Sequence, residues 1–278
     1  VKLSKWALWE QVGYKPHPHQ REYHLSDKQH RWWYCGKRFG KTTAVAAEML
    51  PILLTAGTRT WLVGPRYESV VREWETLHDW IVHDIGINPK AIKRNVCRPR
   101  QGDIELSLVL EDENGDRVLS FVTGKSGREP ESLQSEELDC AVLCEANYLR
   151  PGIFSREVRP RLVTRGGISL AAAAPHGTAN WYHRTYEKYA NDMLPTYQFF
   201  GLGKHAGDNP HNEETIDAFE LTEAEYREVV LGITTPRVGS IFPAVPTIRK
   251  LGGKPPRGGG LNFVFIDFGY VHPFAAIF

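Results

Sequence analysis

The stretch RWWYCGKRFGKTTAVAAEML, residues 31–50, decides the fold of this chain. Its first six residues form an apolar run with the length of a buried strand, and a helical pattern begins after Gly40. Apolar residues then recur at helical spacing as far as about Leu53, with Pro51 expected to bend or shorten the helix. A strand that leads through a glycine-containing loop into a helix is typical of the first unit of an α/β fold.

Further short apolar runs follow, separated by segments with a helical pattern. Nearly continuous apolar runs of this length suit strands that are buried on both faces, as in a parallel sheet. We therefore predict an α/β fold with a mainly parallel sheet. The runs are TWLVG at 60–64, VLSFV at 118–122, CAVLC at 140–144 and ISLAAAA at 168–174.

Length and composition indicate a globular protein. The 278 residues predict one large domain of roughly 200–250 residues and part of a second unit. Apolar residues are 41% and charged residues 24% of the chain, which argues against a disordered or membrane-embedded class, and we expect an intracellular protein. Because 34 Lys and Arg balance 33 Asp and Glu, contact with nucleic acid would require local basic patches. The four cysteines lack zinc spacing, so we expect buried thiols.

The loop CGKRFGKTT has the residue types that bind phosphate between a strand and a helix. Gly40 allows the backbone to approach a phosphate, and the helix N-terminus presents free N–H groups. Lys41 is expected to reach the β and γ phosphates, and Thr42 to ligate Mg²⁺. The common pattern has glycine five positions before Gly40, where this chain has Cys35 and places Gly36 one residue later.

This variant of the loop resembles the large terminase subunits of tailed bacteriophages, in which it often reads C-G-R-R-F-G-K-T. Agreement extends from about residue 16 to 274, in the same order and spacing. The resemblance implies a RecA-like (ASCE) P-loop ATPase domain at 1–205, a linker subdomain at 206–260, and the truncated start of an RNase H-like nuclease domain at 261–278. A Gly-, Pro- and Lys-rich stretch at 248–260 supports a boundary there.

The resemblance also implies roles for individual residues. PHPHQREYH resembles the family's adenine-contacting motif, with Gln20 as its glutamine. A basic residue inside the loop is expected to reach the γ phosphate, with Arg38 the first candidate and Lys37 the second. The predicted catalytic residues are Glu145, Lys41 and Arg38, and the predicted ATP-binding residues are Gln20, Gly36, Lys37, Arg38, Phe39, Gly40, Lys41, Thr42 and Thr43.

Two segments depart from the family pattern. CAVLCEA resembles the second ATPase motif, but Cys144 stands where Asp is usual, which leaves Thr42 and ATP to hold Mg²⁺. Cys144→Asp is therefore expected to lower the Mg²⁺ requirement, unless Cys144 is only a core thiol. Glu145 follows as the group that orients or deprotonates the attacking water. In the coupling motif ISLAAAAPHGTAN, alanines replace hydroxyl residues, and His176 or Asn180 remain as polar candidates.

The end of the chain and its arginines are considered for roles in cutting and moving DNA. FIDFGYVHP resembles the first nuclease strand, and Asp267 matches one of its metal-binding carboxylates. One carboxylate cannot hold two metal ions, so we expect no nuclease activity from this chain alone. Gln134 occupies the family's usual arginine position. A finger acting on a neighbouring subunit would then be Arg128 or a residue of the arginine cluster at 156–165.

The resemblance implies an ATP-hydrolysing motor subunit that moves double-stranded viral DNA into a procapsid. Its expected cofactors are ATP and Mg²⁺. Its expected partners are DNA, the small terminase subunit, the portal protein and further copies of itself in a ring, in the host cytoplasm and without a membrane. Two alternatives stay open: a DNA helicase or repair translocase, and a nucleotide-gated scaffold that does not hydrolyse ATP.

Overall fold

The computed structural model describes residues 4–94, 104–134, 136–202, 221–235, 265–267 and 275–277. The chain divides into two compact units, Val1–Ser240 and Ile241–Phe278. The predicted domain boundaries at 205 and 260 fall outside the described residues and stay predictions. No helix in the described ranges is long and apolar enough to cross a membrane.

The first unit alternates strands and helices along most of its length. The strands are β1 His30–Tyr34, β2 Arg59–Gly64, β3 Ala91–Arg94, β4 Ile104–Glu111, β5 Arg117–Ser126, β6 Cys140–Cys144, β7 Ile168–Ala173 and β8 Tyr197–Phe200. The α-helices are α1 Lys5–Gln11, α2 Pro18–Leu25, α3 Lys41–Leu53, α4 Val71–Asp79, α5 Arg159–Val163, α6 Trp181–Ala190 and α7 Glu223–Val229.

The strands form one eight-stranded sheet in the order β3-β4-β5-β2-β6-β7-β1-β8. In this sheet order, every neighbouring pair of strands from β5 through β2, β6, β7 and β1 to β8 is parallel. At the other edge, β3 pairs antiparallel with β4, and β4 pairs antiparallel with β5. The predicted α/β class with a mainly parallel sheet is confirmed. β7 lies between β1 and β6, with Tyr34 opposite Ala173 and Cys144 opposite Ala172, so the carboxyl ends of all three strands meet at one edge.

Hydrophobic side chains cover both faces of the sheet. Successive strand residues point to opposite faces, so the fully buried Trp32 and Trp33 of β1 belong to different core clusters. Trp33 packs with Met49 and Trp74 on the face of α3 and α4, and Trp32 packs with Tyr182 on the other. This two-sided burial explains the nearly continuous apolar runs in the sequence.

Helix α3 passes through Pro51 and ends at Leu53. Proline has no backbone N–H, so it leaves the carbonyl four residues earlier, that of Ala47, without its usual donor. The indole Nε1 of Trp9 in α1 donates a hydrogen bond to this oxygen at 2.7 Å. The N-terminal helix therefore satisfies the backbone group that Pro51 leaves unpaired.

The second unit contains two short antiparallel strands, β9 Phe265–Asp267 and β10 Ala275–Ile277. Asp267 is the last residue of β9 and pairs with Ala275 in the ladder. The apolar segment predicted to begin the nuclease domain thus contains a strand at 265–267. The rest of that segment lies outside the described residues.

Candidate nucleotide-binding site

The predicted phosphate loop connects β1 to α3 at the carboxyl edge of the parallel strands. Glu145, at the end of β6, and Ala174, at the end of β7, reach the same edge. Ligands of open α/β sheets bind at this edge, because the loops there leave a crevice between strands and helices. The loop therefore occupies the place in the fold where a nucleotide would bind.

Two glycines of the loop are required by close contacts. Gly40 precedes α3 in a left-handed conformation with φ of 75°, and an added Cβ would lie 2.5 Å from Nε2 of Gln20. At Gly36 an added Cβ would lie 2.6 Å from the carbonyl oxygen of Val230. Gly36 therefore admits the backbone that follows α7, while Cys35 before it is fully buried.

Lys41 and Thr42 begin α3, and their side chains already have partners within the site. Lys41 Nζ donates to the carbonyl oxygens of Cys35 at 3.2 Å and Gly36 at 2.6 Å. The Thr42 hydroxyl donates to Oε1 of Glu73 in α4 at 3.3 Å. The ammonium thus lies across the loop, where phosphate oxygens can replace the carbonyl oxygens as its acceptors.

A cavity of about 1070 Å³ opens above the loop. Most of the predicted residues line it: Gln20, Lys37, Arg38, Phe39, Gly40, Lys41, Thr42, Thr43 and Glu145. Ala174, one of the alanines that replace hydroxyl residues in the coupling motif, also lines the cavity. The sequence did not single out the other lining residues, which are Val12, Gly13, Tyr14, Lys15, His17, Arg72 and Trp80. Gly36 is not part of the lining. Asp267 belongs to the second unit.

The side chains of Gln20 and Phe39 hold the phosphate loop against neighbouring elements. Gln20 is 5% exposed and donates from Nε2 to the carbonyl oxygen of Gly40 at 3.0 Å. Its Oε1 accepts from the backbone N–H of His17, which closes the capping box of α2. The buried Phe39 ring packs against His17 and Trp33. The motif around Gln20 therefore contacts the loop directly, although a helix start gives no hint of that contact.

Lys37 and Arg38 are the exposed residues of the loop. Arg38 adopts a left-handed conformation with φ of 60°, which is uncommon for a residue other than glycine and costs of order 1–2 kcal/mol. The backbone N–H of Lys37 donates to the carbonyl oxygen of Val229 at 2.6 Å. Both side chains line the cavity, and the Val229 contact fixes the backbone that carries them.

Glu145 lies across the cavity from the loop. It is exposed, adopts a left-handed conformation with φ of 47°, and follows the fully buried Cys144. Glu145 also borders a second cavity of about 680 Å³, whose lining includes Arg66, Arg128 and Arg150. Arg128, a predicted finger candidate, therefore lies beside Glu145, together with two arginines that the sequence did not single out.

Glu73 is a residue of the site that sequence reasoning missed. It lies in α4, is 4% exposed, accepts the Thr42 hydrogen bond and lies next to the Cys144 thiol. Burial and the nearby charge of Glu145 raise the pKa of Glu73 to about 7, and burial raises that of Cys144 above its usual range. The available signal was a glutamate on the apolar face of α4, three residues after the buried Val70.

The segment 221–235 connects the phosphate loop to the coupling motif. Beyond the contacts of Val229 and Val230, the Glu228 carboxylate accepts from the backbone N–H of Gly177 at 2.8 Å. Thr234 and Tyr34 share a hydrogen bond between their hydroxyls, also at 2.8 Å. The predicted linker segment thus contacts β1 and the loops that follow β1 and β7.

Other predicted residues have structural roles. Asn180 caps α6 by accepting from the backbone N–H of His183, while its amide donates to the carbonyl oxygen of His176. Arg165 pairs with Asp139 at 2.9 Å, next to the start of β6. The cluster at 156–165 therefore has one member at the edge opposite the phosphate loop. Cys35, Cys140 and Cys144 are free buried thiols, as expected, and the fourth cysteine, Cys97, lies outside the described residues.

A glycine-containing loop between the first strand and helix of a mainly parallel sheet, with an acidic residue ending a neighbouring strand, defines the class of P-loop nucleotide-binding folds. Within this class, comparison with known proteins points to one group. The chain is 25% identical over 207 residues to the large terminase subunits of Thermus phage G20c and Thermus virus P23-45. No protein-family model matches the sequence.

Solved structures have the same fold. The ATPase domain of the large terminase of Thermus phage P74-26 superposes with a TM-score of 0.65, at 22% identity over 81% of this chain and 96% of that domain. The large terminase of another thermophilic bacteriophage, in complex with ADP, gives 0.60, at 14% identity over 78% of this chain and 52% of that chain. The chain thus has the fold of large-terminase ATPase domains. Its alignment covers 39% of the curated relatives' length.

Proposed function

We propose that this chain is the ATP-hydrolysing part of a phage DNA-packaging motor. One observation carries the proposal: Lys41 and Thr42 in the phosphate loop share a single cavity with Glu145 at the end of β6. Its 25% identity to large terminase subunits, and a fold shared with large-terminase ATPase domains, support the choice of this motor over other P-loop enzymes.

The residues of the cavity divide the chemistry between them. Lys41 exchanges its loop carbonyl partners for β and γ phosphate oxygens, and the N–H groups at the start of α3 bind the same phosphates. Arg38, with Lys37 beside it, stabilises the negative charge of the transferred phosphoryl group. Glu145 orients the attacking water and accepts its proton. Oxygen ligands from Thr42 and nearby carboxylates suit Mg²⁺, which when bound neutralises charge between the β and γ phosphates.

The nucleoside end of ATP is assigned to the part of the cavity away from Lys41. We place it against Tyr14 and Trp80, whose ring centroids are 5.8 Å apart and which line the cavity together with Val12. Gln20 remains the proposed adenine contact. Because its amide also bonds the carbonyl oxygen of Gly40, adenine binding at Gln20 would act on the loop backbone.

The whole motor goes beyond this chain. We propose that it acts in the host cytoplasm at the procapsid portal, on double-stranded DNA, in a homo-oligomeric ring with the small terminase subunit and the portal protein. Asp267 is assigned to the metal site of an RNase H-like nuclease, which needs further carboxylates to hold two metal ions. The domains proposed are 1–205, 206–260 and 261–278. The names of the relatives, which are large terminase subunits, support the packaging role, and the chain covers 39% of their length.

Phosphate release from ATP tests the proposal. The parent chain is expected to release phosphate in the presence of Mg²⁺ and double-stranded DNA, and Lys41→Ala to reduce release to background and weaken nucleotide binding. A parent that binds ATP without turnover, with DNA present, would instead favour the nucleotide-gated scaffold. Turnover by Lys41→Ala at the parental rate would contradict the assignment of the phosphate loop.

A further inference from the structure

We propose that Glu73 supplies the carboxylate that this chain lacks at position 144, so that Glu73 and Thr42 together hold the Mg²⁺ of bound ATP. The inference rests on the proposed ATPase function and assigns a metal-binding role to a residue outside the two ATPase motifs. Glu73 comes from α4, which lies beside the phosphate-loop helix α3.

The hydrogen bond between Thr42 and Glu73 is the first observation. The hydroxyl donates its hydrogen to Oε1 of Glu73 at 3.3 Å, so the lone pairs of the Thr42 oxygen stay available for a cation. P-loop enzymes hold Mg²⁺ between the loop hydroxyl and an aspartate that ends a neighbouring strand. Here the carboxylate beside the hydroxyl comes from α4.

The second observation concerns the residue at position 144. The Cys144 side chain is fully buried at the end of β6 and lies next to Glu73. A thiol can donate to a carboxylate, whereas an ionised aspartate at 144 would place two negative charges side by side. Cys144 and Glu73 are therefore complementary, because the residue at the end of β6 is uncharged and the residue of α4 provides the carboxylate.

The third observation is the lack of an ion-pair partner for Glu73 within the described part of the chain. Glu48 is equally buried, yet it pairs with Lys5, His24 and Arg31. Among the described side chains, Glu73 accepts a hydrogen bond from the Thr42 hydroxyl but has no salt bridge to Lys, Arg or His. Buried carboxylates are usually paired with a cation or bound to a metal. The phosphate end of the cavity is where ATP would bring that metal.

The two glutamates of the site then have separate roles. Glu73 is buried beside Thr42, where the cation is expected, and has an oxygen ligand of the kind that Mg²⁺ prefers. Glu145 is exposed to the cavity, where the attacking water must enter. The competing explanation is that Glu73 only fixes the side chain of Thr42 and has no part in binding the metal.

Glu73→Gln distinguishes these explanations, because the amide keeps the size and hydrogen-bonding capacity of the carboxylate but not its charge. Calorimetric titration with ATP-γ-S would give the Kd in EDTA and the Mg²⁺ concentration for half-maximal tightening. In EDTA, Glu73→Gln is expected to match the parent. The Mg²⁺ midpoint is expected to rise about tenfold or more, the usual scale for losing a group that supports a metal. Glu68→Gln removes an exposed carboxylate from the preceding helical turn and should leave both values unchanged.

A second variant keeps the test decisive. In the Glu73→Gln background, Cys144→Asp should return the Mg²⁺ midpoint towards the parental value, because it moves the carboxylate back to the strand. Cys144→Asp alone should not lower the midpoint, since the carboxylate is already provided. A parental midpoint in Glu73→Gln, or no rescue by the double variant, would overturn the role of Glu73. A parent that binds no ATP-γ-S would instead overturn the proposed function.

Discussion

Lys41 and Glu145 line the cavity from different elements, and we expect their substitution to affect nucleotide binding and hydrolysis differently. Lys41 lies in the first turn of α3, bonded to loop carbonyls, so its removal affects the ground state and the transition state alike. Glu145 has a left-handed backbone at the end of β6 and faces the cavity without a described hydrogen bond to the loop. Its contribution should therefore be confined to the chemical step.

We predict that Glu145→Gln retains nucleotide binding while kcat falls by at least about 10², the usual scale for losing a positioned general base. The measurements are phosphate release and the Kd for ATP-γ-S. Glu131→Gln, an exposed carboxylate near the neighbouring arginine-lined cavity, serves as the control. Equal losses in binding and turnover would show that Glu145 supports the structure of the site.

At the scale of elements, a buried charge network joins the N-terminal helices to α3. Glu48 of α3 is bonded to Lys5 of α1 at 2.9 Å, to His24 of α2 at 2.7 Å and to Arg31 of β1 at 2.8 Å. The Tyr14 hydroxyl bonds the other nitrogen of His24. The network fixes the loop's helix against the segment that carries Gln20, so the position of the site depends on it.

We predict that Glu48→Gln lowers the free energy of unfolding by about 3–5 kcal/mol at pH 7, because it leaves buried cations without their partner. Its hydrogen bond to His24 and the charges of Arg31 and Lys5 outweigh burial and lower the pKa of Glu48 to about 2. A lowered carboxyl pKa stabilises the fold above its unfolded value near 4.5, and this stabilisation is lost as pH falls towards 2.

The parent should therefore lose its advantage over Glu48→Gln between about pH 4.5 and 2. Burial also lowers the pKa of His24 below 6.5, although the Glu48 carboxylate accepts a hydrogen bond from its ring, so protonation of His24 favours the unfolded state in both proteins as the pH drops below that value. Denaturant unfolding across this pH range is the measurement. Glu10→Gln, at an exposed position of α1, is the control. A pH-independent difference between parent and Glu48→Gln would contradict the network.

We predict that Gly36→Ala separates the segment after α7 from the phosphate loop. The new Cβ would lie 2.6 Å from the carbonyl oxygen of Val230 and 2.7 Å from that of Val229, and backbone atoms cannot rotate away. The expected cost is about 1–3 kcal/mol of stability, with faster hydrogen exchange at the amide of Lys37, which bonds Val229. Gly115 has a φ of 85°, so Gly115→Ala is also strained, but its added Cβ meets nothing within 4 Å. Gly115→Ala should therefore leave exchange at Lys37 unchanged.

At the scale of the whole molecule, the cavity, both glutamates and the contacts of segment 221–235 belong to the unit Val1–Ser240. β9, β10 and Asp267 belong to the unit Ile241–Phe278. Nearly balanced charge over the full sequence provides no general attraction for DNA, so the proposed contact with DNA would require a local group of basic residues.

We predict that removal of residues 241–278 leaves nucleotide binding within about twofold of the parent, because every described residue that lines the cavity is retained. The measurements are the Kd for ATP-γ-S and the melting temperature with and without nucleotide. A ligand that binds only the folded state raises the melting temperature, so the nucleotide-induced shift should also be retained. Loss of binding in the shortened chain would mean that the second unit contributes to the site.

The sequence by itself determined the parallel strands and the reactive edge. β1, β2, β5, β6 and β7 lie where apolar runs predicted them, since strands buried on both faces need continuous apolar residues. Because the carboxyl ends of parallel strands meet at one edge, the sequence also placed Lys41 and Glu145 close together. It did not predict β3, β4 and β8. β3 and β8 are the two edge strands, and β4 lies next to β3.

Only the tertiary structure decided the contacts between residues that are distant in sequence. The bonds from Glu73 to Thr42, from Trp9 to the Ala47 carbonyl and from Val229 to the loop join segments 31, 38 and 192 residues apart. Such pairs leave no local periodicity, because each partner satisfies a hydrogen bond or fills a space that exists only after folding. A glutamate on an apolar helix face gives a hint of this kind, but its partner becomes known only when α4 packs beside the phosphate loop.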